Sequence, residues 1–575
     1  MRAAVKWAAA PFLAAGFIAA MVGAARAAWP TDPLVNQPVC MDLGEQIGSR
    51  IASDGAGGAI IVWQDLRNGD YDIYAQRIDI NGVPKWTPNG IPICAAIGDQ
   101  TQAFIQPDGA GGAVITWQDQ RDGPIHVYAQ RVNAAGTVLW GTDGVPVCTV
   151  SAQSFPTIAS DGSGGAIIAW QDQRNASFDI YAQRIDAAGS SQWTTNGVPV
   201  CAAAGGQSYQ QLVPDGEGGA IITWMDLRGG TEDIYAQRVN SAGAPQWTTD
   251  GVALCAAAYD QSSPQIATDN AHGAIVTWFD QRADGIQCDI YAQRVSAAGA
   301  PMWTADGVAL CTAPANQLYP MIVPDGSSGA IVTWQDRRDY NSYWHIYAQR
   351  VNASGATQWT ANGVQICAAP NDENWPMIAP DGAGGAVLTW QDSRVDGANP
   401  DIYAQRVNSA GNPLWVTDGV ALCTDPYSQM SPFIVASGVG GAIVEWRDAR
   451  NQDGYYLLND DVYAQAVTAN GVLGTPVLAV PPVVAASRVA LRCIAPNPNR
   501  GEMRVTFSLS DDAPAHLELF DLAGRRLASR DVGALGAGTH EVEMSPPRAA
   551  LSSGIYTLRL TSKTEIAAER VVIVH

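Results

Sequence analysis

The stretch "WQDQRNASFDIYAQRID", residues 170–186, decides the fold because it is one copy of a phrase that the chain repeats eight times. Its counterpart at residues 63–79 reads "WQDLRNGDYDIYAQRID". A fixed period indicates an array of equal structural units rather than a set of unrelated domains. The tryptophan that opens the phrase recurs at intervals of 53 to 56 residues, as Trp63, Trp117, Trp170, Trp224, Trp278, Trp334, Trp390 and Trp446.

The unit between Cys148 and Cys201 contains four strand candidates, at residues 155–160, 166–172, 179–186 and 197–201. The second candidate is an apolar run typical of a strand that is buried on both faces. The glycine-rich turn "DGSGG" joins it to the first. Four short antiparallel strands, repeated eight times at about 54 residues, predict an all-β fold, namely an eight-bladed β-propeller.

An open solenoid of the same units is the alternative architecture. The segment "WPTDPLVNQPVC", residues 29–40, resembles the end of a repeat whose first three strands are missing, whereas the last repeat ends in the degenerate "NGVLGTPVLAV", residues 470–480. An N-terminal strand that completes the last blade would remove the exposed sheet edges of a solenoid. We therefore favour a closed ring, in which either terminus could supply the eighth outer strand.

Composition and the N-terminus indicate an exported protein. Residues 1–27 have the basic start, apolar middle and small-residue end of a secretory signal peptide, so that the propeller would span residues 28–479. No later apolar run is long enough to predict a transmembrane span. The net charge of −22 makes nucleic acid an unfavourable partner.

The cysteines predict buried thiols rather than disulfides. Eight of the ten close phrases such as "GVPVC" once per repeat, and equivalent positions of neighbouring units should lie too far apart for a disulfide. We expect them to act as small apolar residues. Cys288 and Cys493 fall outside this pattern. Because no Cys/His cluster has metal-ligand spacing, the sequence predicts no metal site and no cofactor.

Residues that recur in every copy indicate scaffold, and residues that differ between copies indicate function. Asp65 and Arg67 of "WQDLR" recur in each unit, so we expect them to form paired side chains that hold every blade alike. Variation concentrates in the loops between the second and third strands and in the loops that enter each blade. In a four-strand meander these two loop sets lie on the same face of the ring.

The candidate ligand-binding residues come from these loops. Aromatic rings with nearby amide groups suit a glycan or a protein ligand. The predicted set is Phe155, Tyr209, Tyr319, Tyr343, Trp344 and Trp375, together with the recurrent amides Gln153, Gln207 and Gln317.

The sequence predicts no catalytic residues. The six histidines share no constellation, and no nucleophile, zinc-protease or phosphate-loop motif is present. Glu445 is an unrepeated acid, because the other copies have Val, Ala or Thr at its position. The main hypothesis is a surface or secreted ligand-binding propeller. The alternatives are an extracellular carbohydrate-active hydrolase or lyase, which would need a second placed carboxylate, and a purely structural surface protein.

The period stops near residue 480. Residues 480–490 are predicted to be a linker, and residues 491–575 alternate strand and turn signals in the manner of a small β-sandwich. Four motifs follow in order: "PNP" at 496–498, "LFDLAGRRL" at 519–527, "SGIYTLRL" at 553–560 and "ERVVIVH" at 569–575. Together they resemble the C-terminal sorting domain of the type IX secretion system and the related immunoglobulin-like domain of flagellar hook-capping proteins.

This resemblance implies an immunoglobulin-like fold at the C-terminus. It also implies delivery across the outer membrane of a Gram-negative bacterium, through contact with outer-membrane secretion machinery, to the cell surface or the medium. The propeller repeats are similar to those of uncharacterised exported bacterial proteins, which implies no particular ligand.

Overall fold

A computed structural model describes most of the repeat region and shorter segments of the C-terminal region. The described residues are 29–150, 152–338, 343–438, 440–451, 459–474, 490–495, 503–509, 514–521, 525–532, 535, 538–544, 553–562 and 565–573. The predicted signal peptide and the predicted linker up to residue 489 lie outside them. Every regular element in the described ranges is a β-strand, which confirms the all-β prediction.

Eight four-stranded antiparallel sheets form the blades, and within each blade the strands lie side by side in chain order except in the last. We call the four strands of a blade inner, second, third and outer. The inner strands are Gln46–Ser53, Gln100–Pro107, Gln153–Ser160, Gln207–Pro214, Gln261–Thr268, Gln317–Pro324, Glu373–Pro380 and Gln429–Ala436. The second strands are Ala59–Asp65, Ala113–Asp119, Ala166–Asp172, Ala220–Asp226, Ala274–Asp280, Ala330–Asp336, Ala386–Asp392 and Ala442–Asp448.

The third strands carry the "DIYAQR" phrase. They are Asp72–Ile78, His126–Val132, Asp179–Ile185, Asp233–Val239, Asp289–Val295, His345–Val351, Asp401–Val407 and Asp461–Val467. The outer strands of blades 1 to 7 are Ile91–Cys94, Val145–Cys148, Val198–Cys201, Val252–Cys255, Val308–Cys311, Val364–Cys367 and Val420–Cys423.

The N-terminus closes the ring. Residues Gln37–Cys40 form the outer strand of blade 8 and pair antiparallel with Asp461–Val467. Asn36 Nδ2 donates to the Leu422 carbonyl of blade 7 at 2.8 Å, and the Gln46 amide of blade 1 donates to the Asp460 carbonyl at 2.7 Å. The molecule is therefore a closed eight-bladed propeller, and the open-solenoid alternative is wrong.

The second strand is the centre of each blade because both of its faces are covered. In blade 4 every residue of Ala220–Asp226 is buried. Trp224 is fully buried and stacks on Tyr235 of the third strand, with ring centroids 6.4 Å apart. The apolar side chains of this strand also pack against the neighbouring blade, so that each core cluster lies between two blades.

The repeated Asp–Arg pair is a structural clamp, as the sequence predicts. In blade 4, Asp226 accepts from Arg228 Nε at 2.9 Å and Nη2 at 2.6 Å, and also from the Trp224 indole at 2.7 Å. The guanidinium lies 3.9 Å from the Tyr235 ring centroid. Its Nη2 also lies 3.1 Å from Cys201 Sγ. The repeat cysteines and Cys288 are free and buried, and burial raises the pKa of Cys201 to about 12.

A second arginine, present in blades 1 to 7 and replaced by Ala466 in blade 8, ties neighbouring blades together. Arg184 of blade 3 pairs with Asp161 of the glycine-rich turn, with 3.0 Å between Nη2 and Oδ2. Its Nη1 also donates to the Ser241 carbonyl of blade 4 at 3.3 Å, and the Trp193 indole donates to the same carbonyl at 3.0 Å. These links recur between blades, and they account for the recurrence of the third-strand arginine.

The chain divides into two compact units at Pro476 and Val477. The second unit contains two antiparallel sheets in the manner of a β-sandwich. One sheet has the order Ala490–Ala495, Met503–Leu509, Gly538–Met544; the other has the order Arg526–Asp531, Ala515–Phe520, Gly554–Ser562, Glu565–Ile573. Its core contains Phe507, Leu517 and Leu558. In the described residues of the chain, no helix has the length and apolarity needed to cross a membrane.

Candidate ligand site on the loop face

The two variable loop sets lie together on one face of the ring, which we call the loop face. The loop between the second and third strands of blade 1 contacts the loop that enters blade 2. The Gly98 amide donates to Asp70 Oδ2 at 2.7 Å, and the Tyr71 amide donates to Asp99 Oδ1 at 3.0 Å. This hydrogen bonding confirms that both sets share a face.

A bulge near the start of each inner strand presents the aromatic residues. In blade 3 the pairing register shifts between Ser154 and Thr157, and Phe155 adopts a left-handed backbone with φ of 51°. Tyr209 has the same conformation in blade 4, with φ of 55°. Phe155 is 50% exposed and Tyr209 is 60% exposed, although both belong to a strand. The bulge turns these side chains out of the blade.

Phe155 and Tyr209 line one cavity between blades 3 and 4. The cavity has a volume of about 170 Å³. Phe104 of blade 2 adds a third aromatic face, and the polar lining consists of Thr157, Gln171, Gln210 and Gln211. The lining therefore combines aromatic surface with a few amide groups, as small-molecule sites do.

Gln210 lines this cavity and has a buried side-chain oxygen without a hydrogen-bond partner. Its side chain is 2% exposed, and its Nε2 donates to the Phe155 carbonyl and, at 3.4 Å, to the Ala169 carbonyl. These two acceptors fix the amide orientation, because a flipped amide would place oxygen against oxygen. Oε1 then has no hydrogen-bond partner. A buried acceptor without a partner costs about 1–3 kcal/mol.

Sequence reasoning missed Gln210, although its position carries a signal. It is the fourth residue of the inner strand, where five other blades have proline and the remaining two have Ser49 and Ala103. The prolines are Pro156, Pro264, Pro320, Pro376 and Pro432. A long amide at this position in one blade is thus a departure from the repeat.

A second aromatic cluster lies on blades 5 to 7. Tyr319 and Trp375 have ring centroids 4.6 Å apart, and Phe279 meets Tyr319 edge-on at 6.4 Å. Tyr319 is 39% exposed and Trp375 is 49% exposed. The structure therefore brings two predicted residues into contact. It adds Phe279, which stands where most other copies have glutamine after the repeat tryptophan.

The three predicted glutamines are buried at the foot of the interblade loops. Gln207 Nε2 donates to the Gly205 carbonyl at 3.1 Å, and Gln317 Nε2 donates to the Ala315 carbonyl at 3.2 Å. Gln153 Nε2 donates to the Val150 carbonyl in the same manner. These side chains hold the loops in place, and they do not line the cavity.

Tyr343 and Trp344 lie apart from the cavity, in the loop between the second and third strands of blade 6. Tyr343 is exposed, whereas Trp344 is half-buried beneath the Arg337 guanidinium, which lies 5.6 Å from the ring centroid. The Trp344 amide donates to Asp372 Oδ1 at 2.9 Å, which links the loop to blade 7.

Glu445, the unrepeated acid, is fully buried between blades 8 and 1. Burial raises its pKa to about 8, although the neighbouring Ser49 and Arg50 oppose this shift. Neither of its oxygens has a hydrogen-bond partner of normal geometry within the described residues. The Arg50 guanidinium lies between two rings, 4.1 Å from Phe433 and 5.2 Å from Phe104. Glu445 cannot contact a polymer at the surface without a change in packing.

Residues 493–574 match the family described as the secretion system C-terminal sorting domain. The protein is secreted or displayed on the cell surface. This match confirms the type IX resemblance in the C-terminal region and places the protein in a Gram-negative bacterium. No curated protein sequence matches the chain significantly.

The chain is also similar in structure to several solved proteins. One is an ulvan lyase, a polysaccharide lyase, with 10% identity and a TM-score of 0.40, covering 78% of this chain and 96% of that one. An α-L-arabinofuranosidase from Fusarium graminearum has 11% identity and a TM-score of 0.31, covering 55% of this chain and 92% of that one. A protein of unknown function from Dyadobacter fermentans has 9% identity and a TM-score of 0.31, covering 76% of this chain and 99% of that one. These similarities are too distant to assign a function.

Proposed function

We propose that this secreted propeller binds an extracellular glycan in the cavity between blades 3 and 4. The observation that carries the proposal is a cavity lined by the exposed rings of Phe155 and Tyr209 and by Gln210, whose buried Oε1 acceptor has no partner. Sugar rings offer apolar faces that pack on aromatic side chains and hydroxyl groups that donate to amide oxygens. Both requirements are met within one cavity.

The size of the cavity argues for a chain end or a single sugar unit rather than a whole oligosaccharide. Its volume of about 170 Å³ is smaller than the several hundred cubic ångströms of typical ligand pockets. The remainder of a polymer would lie across the loop face, where Tyr319 and Trp375 present a second aromatic surface. A peptide ligand fits less well. Extended peptides commonly pair with an exposed strand edge, whereas this cavity offers only the single acceptor of Gln210.

The test is a polysaccharide panel on the purified full chain, with binding and product release measured in the same wells. Gln210→Pro restores the residue of five other blades, so we expect it to fold and to weaken binding about fivefold to tenfold, the value of one hydrogen bond. Phe155→Ala and Tyr209→Ala should weaken binding further, because each removes a stacking face. Tyr427→Ala is the control: it truncates another tyrosine of an interblade loop, 49% exposed, outside the cavity.

Equal binding by wild type and all three cavity variants would refute the site. Release of new sugar ends would favour the hydrolase or lyase alternative. Self-assembly without binding to any glycan would favour the structural alternative. Contact between the sorting domain and the secretion machinery is part of the same proposal, and secretion of a chain that lacks residues 491–575 would contradict it.

A further inference from the structure

Blade 7 departs from the repeat at the first residue of its inner strand. This residue is Glu373, whereas the other seven blades have glutamine. Glu373 is fully buried. Its Oε2 lies 2.7 Å from Nδ1 of His345, which itself replaces the aspartate found in six other third strands. Its Oε1 has no hydrogen-bond partner.

Glu373 lies close to two other side chains that can bind a metal ion. One ligand atom each from Glu373, Cys367 and Asp392 lie within 4.8 Å of one another, and all three residues are buried. Among the residues that the structure describes, no other three His, Cys, Asp or Glu side chains come this close. A tetrahedral zinc site with a thiolate and two carboxylates needs donor separations of about 3.3 to 3.5 Å, so the donor atoms must move closer together to bind one ion.

Charge balance distinguishes this blade from the others. Arg394 binds both oxygens of Asp392, at 2.7 and 2.6 Å, as the equivalent arginine does in every blade. In the other blades the neighbouring glutamine is neutral, so the Asp–Arg pair is balanced. Glu373 brings one further carboxyl group into the same buried volume, where a buried charge needs a partner, and either a protonated His345 or a bound cation can supply it. A divalent ion together with Arg394 would balance the anionic forms of Cys367, Glu373 and Asp392.

We infer that Cys367, Glu373 and Asp392 form a binding site for a divalent transition metal ion of the zinc type. One soft thiolate with two carboxylates suits Zn²⁺ or Co²⁺ better than Ca²⁺ or Mg²⁺, which take oxygen ligands alone. His345 orients the carboxylate, because its Nδ1 contacts Glu373 Oε2 and leaves Oε1 without a partner. The site joins the outer strand of blade 6 to the inner and second strands of blade 7.

The experiment measures metal binding by the full chain after a chelator has removed any bound metal. Zn²⁺ gives the number of ions bound per chain, and Co²⁺ gives the absorption spectrum of the site. We expect one ion per chain, a cobalt–thiolate charge-transfer band and a higher melting temperature with metal, because the ion binds the native state. Glu373→Gln restores the repeat residue and should fold, yet lose the ion and the band. Cys367→Ser should lose the band as well.

Cys423→Ser is the matched control, because Cys423 is the equivalent buried cysteine of blade 7, next to a glutamine rather than a glutamate at the following inner strand. It should retain the ion and the band. Equal metal binding by wild type and Glu373→Gln would overturn the inference, as would a wild type that binds no ion or gives no thiolate band. In those cases His345 and Glu373 form a buried ion pair without metal.

Discussion

One carboxylate holds the centre of each blade by accepting from three directions. In blade 4, Asp226 accepts from the Trp224 indole, from the Arg228 guanidinium and from the Arg228 amide. Charge-assisted bidentate hydrogen bonds of this kind are stronger than neutral ones. The aspartate therefore fixes the tryptophan, the start of the loop and the arginine that covers the tyrosine.

Asp226→Asn should destabilise the protein by about 2 kcal/mol, measured as a lower midpoint of urea unfolding. The change leaves the Arg228 charge without its counterion, and the loss falls below the 3–5 kcal/mol of fully buried pairs because the arginine side chain is 23% exposed. Asp79→Asn is the control, since Asp79 pairs with the exposed Lys85. An equal effect of both substitutions would contradict the clamp.

Glu445 should make stability depend on pH. Its native pKa of about 8 lies above the ordinary value of 4.5, so between these values the native state holds a proton that the unfolded chain releases. Its contribution therefore lowers the free energy of unfolding as the pH rises from about 5 to about 8. Glu445→Thr, the residue of five other blades, should stabilise the protein by a few kcal/mol at about pH 8 and less at about pH 5. A difference that is the same at both pH values, measured by urea unfolding, would refute the assignment.

At the scale of the strand, the inner-strand bulge couples exposure of the aromatic rings to backbone strain. Phe155, Tyr209, Tyr319 and Trp375 all have positive φ, a conformation that disfavours residues with a side chain, whereas blade 1 has Gly48 there. The strain explains a mismatch with the sequence pattern. The alternation in blade 3 predicts a strand from residue 155, but the strand begins at Gln153, because the bulge interrupts the alternation.

Tyr209→Gly and Tyr209→Ala should weaken glycan binding equally but differ in stability. Both remove the ring, and only glycine relieves the left-handed backbone, so the glycine variant should be about 1 kcal/mol more stable than the alanine variant. Urea unfolding of the two variants measures this difference. A glycine variant that is less stable than the alanine variant would show that the left-handed backbone at residue 209 does not strain the protein.

The candidate site was only partly predictable, for reasons that differ between residues. Phe155, Tyr209, Tyr319 and Trp375 can be predicted from the sequence because those positions vary among copies. Gln153, Gln207 and Gln317 are predicted ligand-binding residues, but glutamine recurs in seven of eight inner strands and its side chain binds the carbonyls of the interblade loop. Gln210 was hidden in the polar run "QSYQQL", where only the alignment of all eight copies reveals that it replaces proline.

At the scale of the whole molecule, closure rests on twelve N-terminal residues. Val39 and Cys40 are buried against blade 8, and Trp29 is buried with its indole donating to the Ile80 carbonyl at 2.9 Å. The repeat period alone predicted the blade number and the strand order. It left open which terminus supplies the last outer strand, because both ends carry degenerate repeat sequence.

Deletion of residues 29–40 should open the ring. The strand Asp461–Val467 would lose its partner and expose a row of backbone groups, which favours pairing between molecules. We expect a lower melting temperature and concentration-dependent association, measured by light scattering. Leu43→Ser, a change at a residue that is 82% exposed, is the control. A monomeric deletion variant with unchanged melting temperature would contradict closure by this strand.

The closure strand also sets the order of events when the protein is made. Arg450 of blade 8 and Asn36 beside the closure strand form a hydrogen bond although they are 414 residues apart in sequence. The strand that is synthesised first thus pairs with one of the last strands of the propeller to be synthesised. Blades 1 to 7 can fold as the chain emerges, whereas the join between the ends must form last, after the whole repeat region has crossed the inner membrane. Until then the first strand has no partner, and it must stay soluble in the periplasm.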